Sequence, residues 1–469
     1  MHNPKKGKLL FYSNLGIKNH KKDIARTLLK KSKFNGHLKF IRDVKRKGGK
    51  LNITFPKNQV SPINQVKPNL PEILSYLKSK IDLLSLQPLP TKDNGYLYIP
   101  ETFSLSSNES PISYFFLKRL FSLLYNSSVT KIILDYSKCQ KIDVDASVCM
   151  DIIIGEFTLY FRELEKRKIS NRLKAITPIN YEKENINKIL TSIGAFSNLK
   201  GVNIKYNDII PYPLCIGNLK NPLASKRREV DITKMVDYVI DCLSKMNKQL
   251  TAESEDDLFK VIGEVLINAE EHSTGAKRFS IGYFQDSMDN GEHIGIFNLV
   301  ILNFGNTIYE KFSDPHCPNK KVVSEMKNLS DRYTKNGFFT NAEFEEQTLW
   351  TLYALQEGVT SKADWKRGNG SIRFIESFFN LKGNSRHDDV SNLSIISGNT
   401  KIVFDGKHRL LDKPKGPKNK IFKMMTFNES GEIDEKPDKK YVTFVDNYFP
   451  GTIITARISI NDINSEKQI

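Results

Sequence analysis

The chain has 469 residues, a length that suits two or three domains and excludes a single small stapled module. With 39% apolar and 26% charged residues, including 28 Phe and 18 Tyr, it can bury cores, which excludes a largely disordered chain. The formal charge is +18, but no apolar run approaches the length of a membrane helix and the N-terminus lacks an apolar signal core, so a cytoplasmic protein with no membrane partner is expected.

Residues 1–60 carry 17 Lys and Arg against Asp23 and Asp43, which leaves only +3 for residues 61–469. Such asymmetry reads as a basic N-terminal arm drawn to polyanions, because cations near phosphates release condensed counterions. Lys21–Phe34 fits a basic amphipathic helix and Leu51–Phe55 a short strand. With no helix-turn-helix or zinc finger in the arm, any nucleic-acid contact through residues 1–60 would be non-specific, and packing on the rest of the protein is the alternative. Residues 61–90 read as a proline-containing linker with a helix near Ile73–Leu84.

Residues 91–220 read as an α/β domain. A strand is expected at Tyr96–Ile99, an apolar helix at Ile112–Tyr125, and a buried strand at Thr130–Asp135, whose β-branched run ends at a polar turn. A long helix follows at Ala146–Lys168 and a shorter one at Asn187–Leu199. Residues 231–469 begin a second unit with helices at Ile232–Leu250 and Glu255–His272, then strands at Lys277–Gln285 and His293–Asn303. Beyond the irregular segment Ile308–Lys366, with a helix at Glu343–Gln356, come a helix from Gly370 to Phe379 and four strands: Leu393–Ser397, Lys401–Phe404, Lys440–Asp446 and Gly451–Ile460. Lys407–Lys439, between the strand pairs, is rich in Lys, Pro and Gly and is expected to be a solvated loop. The five cysteines (Cys139, Cys149, Cys215, Cys242, Cys317) are scattered without a CxxC pair, so they read as reduced and structural.

In the helix Glu255–His272, Leu258, Val261, Ile262, Val265, Leu266 and Ala269 form one apolar face. Glu264 and Asn268 lie beside it four residues apart, so both project into the same space. A carboxylate and an amide oxygen placed in this way suit Mg²⁺, which keeps several waters, and leave the carboxylate free to accept a proton. Further along, a strand runs into Asn303-Phe304-Gly305-Asn306-Thr307, where glycine allows a ligand to approach the backbone and Asn303 offers an amide to a base edge. Arg367-Gly368-Asn369-Gly370 opens a helix whose free N–H groups suit phosphate. Pro450-Gly451-Thr452 places a hydroxyl after a glycine.

These four segments, in this order over about half the chain, resemble the nucleotide-binding domain of the GHKL superfamily. That group includes gyrase-type topoisomerases, heat-shock chaperones, histidine kinases, mismatch-repair MutL proteins and anti-sigma-factor kinases. Glu264 to His272 is similar to its N box, Asn303-Phe304-Gly305 to the first glycine box, Gly368-Asn369-Gly370 to the second and Gly451-Thr452 to the third. The resemblance implies a C-terminal Bergerat ATPase fold, with helices on one face of a mixed sheet, that takes ATP and Mg²⁺. Glu264 would polarise the attacking water or hydroxyl, and Asn268 would hold Mg²⁺. Gly305 and Thr452 would line the adenine pocket. Gly368 and Gly370 would hold the phosphates under a lid formed by Ile308–Lys366, with Lys362, Lys366 and Arg367 as phosphate partners. His272 is either a partner of the site or a histidine stabilised at a helix end. The family's adenine-binding Asp is Asn303 here and the second glycine of its box is Thr307, which weakens acceptance from the adenine amino group.

The preceding α/β domain, over Lys131–Ile154 and Ile189–Phe196, resembles a STAS domain, the fold of anti-anti-sigma factors. The usual Ile-Asp-Ser-Ser-Gly line reads Ile142-Asp143-Val144-Asp145-Ala146, so a carboxylate stands where the phosphorylated serine would be, unless the acidic turn is simply solvated. Together the two resemblances imply slow ATP hydrolysis or phosphotransfer with lid closure as a switch, in its sharper form an anti-sigma-type serine/threonine kinase acting on a separate protein partner; a homodimer is one assembly left open. The alternative is a non-catalytic nucleotide-sensing scaffold with a degenerate pocket.

Overall fold

The computed structural model describes residues 68–82, 94–169, 175–201, 204–289, 292–334, 343–362, 370–381, 391–408, 410–415 and 420–461. The basic arm and the expected strand and helix within it lie outside these residues, as do most of the 61–90 linker and Lys366, Arg367 and Gly368.

The first α/β layer is built on a parallel sheet of β1 (Asn94–Tyr98), β3 (Lys131–Asp135) and β5 (Ala175–Ile179), in the order β1-β3-β5. Parallel strands require crossovers, and α2 (Ser110–Tyr125) and α3 (Val144–Lys166) supply them. Pro111 opens α2, where a missing N–H costs nothing. A two-residue parallel pair of β2 (Thr102–Phe103) and β4 (Lys141–Ile142) ties together the loops that feed the helices. The single helix expected at 187–199 is two helices, α4 (Glu184–Ser192) and α5 (Ala195–Lys200). Gly194 separates them, and a Cβ there would stand 2.9 Å from the Leu190 Cα.

Two buried acids on α3 behave differently from solvated ones. Asp145 is fully buried and accepts N–H bonds from Leu105 at 3.2 Å and Ser106 at 3.0 Å, so it tethers a turn and is not a surface charge. Burial and Asp143 together push its carboxyl up to about 6. Asp151 accepts from the Asn198 amide at 2.7 Å through Oδ2, while Oδ1 has no hydrogen-bond partner. Burial raises its carboxyl to about 7, against the Asn198 hydrogen bond. The folded state therefore keeps a proton that the unfolded chain loses above about pH 4, and this group's contribution falls as pH rises from about 4 to about 7. Asp151→Asn should gain stability over the wild type across that window, with a limiting slope of about 1.4 kcal/mol per pH unit. Denaturant melts at several pH values measure it, and a difference constant with pH would refute it.

The second layer is a five-stranded sheet in the order β6-β7-β8-β12-β9. Its strands are β6 (Ile209–Asn218), β7 (Lys277–Asp289), β8 (Glu292–Phe304), β9 (Asn392–Phe404) and β12 (Val442–Asn461). All four pairings are antiparallel, not mixed as expected. β6, read from sequence as the end of the first unit, is hydrogen-bonded into this second sheet along β7. The two strand pairs expected after Gly370 are two long strands, with β12 bulging at Phe444 to Thr452 against β9.

Helices α6 (Ala224–Lys245), α7 (Ala252–Glu271) and α11 (Gly370–Asn380) cover one face, where Leu299, Ile301, Leu393, Ile395 and Ile458 join their core. Val300, Leu302, Ile396 and Ile453 point the opposite way, into the core of the first layer. Burial on both faces explains why β8 reads as a nearly continuous apolar run. The segment after β8 holds α8 (Ile308–Ser313), α9 (Lys320–Tyr333) and α10 (Glu346–Ala354), packed around Phe312, Met326 and Trp350. Within the expected 407–439 loop, β10 (Leu411–Lys415) and β11 (Lys420–Met424) form an antiparallel hairpin. The helix of the linker is α1 (Glu72–Lys80), and it is docked: the Tyr76 hydroxyl donates to the Gly305 carbonyl at 2.6 Å and Lys80 pairs with Glu310 at 3.0 Å. No helix among the described residues is long and apolar enough to cross a membrane. All five cysteines are buried and free.

Candidate functional site

α7 starts at Thr251, whose hydroxyl accepts the Ser254 N–H at 3.2 Å, and Glu253 and Glu255 in its first turn complement the helix dipole. Its apolar face of Leu258, Val261, Ile262, Val265 and Leu266 is buried against the sheet. That docking leaves Asn268, Ala269 and His272 on the wall of a cavity at one end of the sheet.

The floor comes from strand register. Asn303 on β8 lies opposite Thr452 on β12, and Thr452 lies opposite Ser397 on β9, so three polar residues form one row across three strands. The next row, Ile301, Ile454 and Ile395, is apolar. The Ser397 hydroxyl stands 2.9 Å from the Thr452 hydroxyl, accepts the Ile308 N–H at 2.9 Å and donates to the Gly451 carbonyl at 3.2 Å, which ties the row to α8. Asn303 is 2% exposed and its Nδ2 has no hydrogen-bond partner. A buried amide hydrogen left unpaired is costly, and a ligand in the cavity would relieve it. The cavity is about 140 Å³, roughly the space of one aromatic ring.

Lys311 of α8 and Lys362 beyond α10 also line it. Lys362 pairs with Glu271, and burial lowers the pKa of Lys311, with Lys362 adding to that effect. The His272 Nδ1 is buried without a partner. Burial pushes His272 down to about 4, Lys311 and Lys362 reinforcing and Glu271 opposing, so the ring is neutral at pH 7. Protonating it costs folding energy, and stability carried by this group is lost as pH falls below about 6.5.

Of the expected site residues, Asn268, Asn303, Lys362 and Thr452 meet at this cavity. Glu264 is exposed one turn before Asn268 and does not line it. Lost solvation raises the Glu264 carboxyl, Arg373 opposing and Glu357 adding. Arg373 of α11 pairs with Glu357 at 2.9 Å, and the same glutamate accepts the Lys423 N–H of β11 at 2.7 Å. Gly305 and Gly451 serve the chain itself and do not line the cavity. A Cβ on Gly305 would lie 2.3 Å from the His272 carbonyl oxygen, so this glycine seats the end of α7 against β8. A Cβ on Gly451 would lie 2.0 Å from the Asn303 carbonyl oxygen. Gly370 opens α11, and its neighbour Ser371 reaches the cavity. Thr307, read as a departure from a glycine, makes a capping box with Glu310 at the start of α8 and also lines the cavity.

Sequence reasoning missed Lys311 and Ser397. Lys311 sits four residues past the Thr307 cap, a spacing that could have placed it on the same side. Ser397 carries no local signal, since only the β9–β12 register brings it to Thr452. Among the described residues no group of three or more His, Cys, Asp or Glu side chains could hold a metal ion. Asn268 and Glu264 offer at most two oxygen ligands, a number that fits Mg²⁺ when phosphates and waters complete its shell. Comparison of the chain with family models, curated proteins and solved structures finds no match.

Proposed function

We propose that this chain binds ATP with Mg²⁺ at the cavity beneath α7, as a GHKL-like ATPase domain, and that the preceding layer is a STAS-like regulatory module. The observation that carries the reading is the polar row Asn303, Thr452 and Ser397 at the end of an apolar floor, with the Asn303 Nδ2 unpaired beside a cavity of about 140 Å³. The base would sit on that floor and the phosphates would extend past Lys311 and Lys362. Asn268 would hold the cation, which supplies charge neutralisation at the phosphates. Glu264, its carboxyl pKa raised, would accept a proton from water. The segment α8 to α10 would act as the lid, and slow turnover or phosphotransfer to a separate protein would follow its closure.

Calorimetric titration with Mg-ATP tests the assignment. Asn268→Ala should weaken Mg²⁺-dependent binding by roughly tenfold or more, and Glu264→Ala should spare binding while abolishing phosphate release. Hydrolysis unchanged in both variants would refute the assignment.

A second reading, a nucleotide sensor without turnover, is favoured by the position of Glu264 outside the cavity lining. Binding without phosphate release by the wild type would select it. Residues 1–60 would attach either form to nucleic acid or another polyanion. Retention on heparin should therefore fall steeply with salt for the full chain and much less after deletion of the arm.

A further inference from the structure

A second cleft, of about 640 Å³, lies on the opposite face of the same sheet, between β8, β12 and β9 and the turns of the first layer at Ser106 to Pro111 and Lys141 to Val144. Interiors between packed layers normally hold few voids larger than a water molecule, and this volume falls in the range of small-molecule sites.

Its wall is set by register. Asn298, Arg457 and Asn392 form one row across the three strands, and Val300, Thr455 and Ser394 form the next. Both rows face away from Asn303 and Thr452, because residues an odd number apart along a strand point to opposite faces. The hydroxyls of Ser394, Thr455 and Ser107 are buried and have no hydrogen-bond partner, and Ser394 is only 2% exposed. Three unpaired hydroxyls around one cleft are a standing cost that a polar ligand removes.

The charge points to an anion. Four cations line the cleft, Lys141, Lys401, Lys440 and Arg457, against Asp143 and Asp446. Lys141 is paired with Asp143 at 3.1 Å. Lys401 donates to the Ser106 carbonyl, a neutral partner, and burial lowers its pKa against the pull of Asp145. Arg457 has no carboxylate within salt-bridge distance among the described residues. A guanidinium fork matches the oxygens of a phosphoryl group.

We propose that this cleft binds the phosphate monoester of a small polyol, with its phosphoryl group on Arg457 and its hydroxyls on Ser394 and Thr455. The site is separate from the nucleotide cavity and stands whether or not that cavity binds ATP.

Titration calorimetry of the full chain with glycerol 3-phosphate, ribose 5-phosphate and glucose 6-phosphate tests it, with inorganic phosphate and free glucose as controls. At least one ester should bind with one site per chain and more tightly than inorganic phosphate. Arg457→Gln should weaken it roughly tenfold or more, and Ser394→Ala by a smaller factor. Both variants should melt within a few degrees of the wild type, and Mg-ATP should not displace the ester. Failure of all three esters to bind the wild type would overturn the proposal. So would equal affinity for inorganic phosphate, unchanged affinity in both variants, or displacement by ATP.

Discussion

Replacing Glu270 by alanine is expected to remove about 3–5 kcal/mol of stability, the cost of breaking a buried ion pair from one side. Glu270 is 2% exposed near the end of α7. Its Oε1 accepts from the Arg278 Nε at 2.9 Å, and its Oε2 accepts from the Arg228 Nε and Nη2 at 2.8 and 2.6 Å. Arg278 is fully buried, and its other carboxylate partner is Asp231 at 2.7 Å. Without Glu270, the buried Arg278 would keep only Asp231, and Arg228 would lose the carboxylate it is bonded to. Gly217 on β6 is part of the fit, since a Cβ there would stand 2.5 Å from the Glu270 Oε1. The cluster fastens α6, α7 and β7 together two residues beyond Asn268, so under the proposed function nucleotide affinity should fall with stability. Glu271→Ala is the control, because its pair with Lys362 is partly exposed and worth at most about 1 kcal/mol. Urea unfolding decides the matter, and a loss for Glu270→Ala no larger than the control would overturn the argument.

Gly451→Ala is the second large effect, with an expected cost of about 3 kcal/mol or more. Gly451 has φ +145°, and its missing Cβ would occupy space 2.0 Å from the Asn303 carbonyl oxygen. Backbone on both strands would have to part, which would pull Thr452 away from Asn303 and open the polar row. Gly201→Ala makes the comparison. Gly201 has φ +68° at the end of α5 with nothing within 4 Å of its Cβ position, so it should lose only about 1 kcal/mol. Thermal melts rank the two, and under the proposed function Mg-ATP titration should show binding lost in Gly451→Ala alone. Equal destabilisation would mean that close approach of the strands is not what Gly451 provides.

Most elements of the α/β fold were legible, because helices and strands declare themselves through periods of 3.6 and 2 and through caps. The helix carrying Glu264 and Asn268 is the clearest case: its apolar stripe predicts Glu255–His272 and the structure has Ala252–Glu271. The hairpin Leu411–Met424 was not legible, since a Lys- and Pro-rich strand at the rim lacks the apolar alternation that marks a buried one. The antiparallel sheet was hidden for a related reason. Strands buried on both faces look alike whichever way they run.

Local spacing determined that Glu264 and Asn268 share one side of a helix, that Gly305 follows a strand and Gly451 precedes Thr452, and that the charge is concentrated before residue 61. Tertiary structure alone decided what three carboxylates on that helix do: Glu270 is buried between arginines, Glu271 pairs with Lys362 and Glu264 is left exposed at Arg373. It also decided that Asn303, Thr452 and Ser397 form one row and that Arg457 and Ser394 face the other side. The division has one physical cause. Period and capping are interactions among neighbours in the chain, whereas strand register and helix docking are set by how distant apolar faces close on one another, and a shift of one residue would turn every one of these side chains to the opposite face.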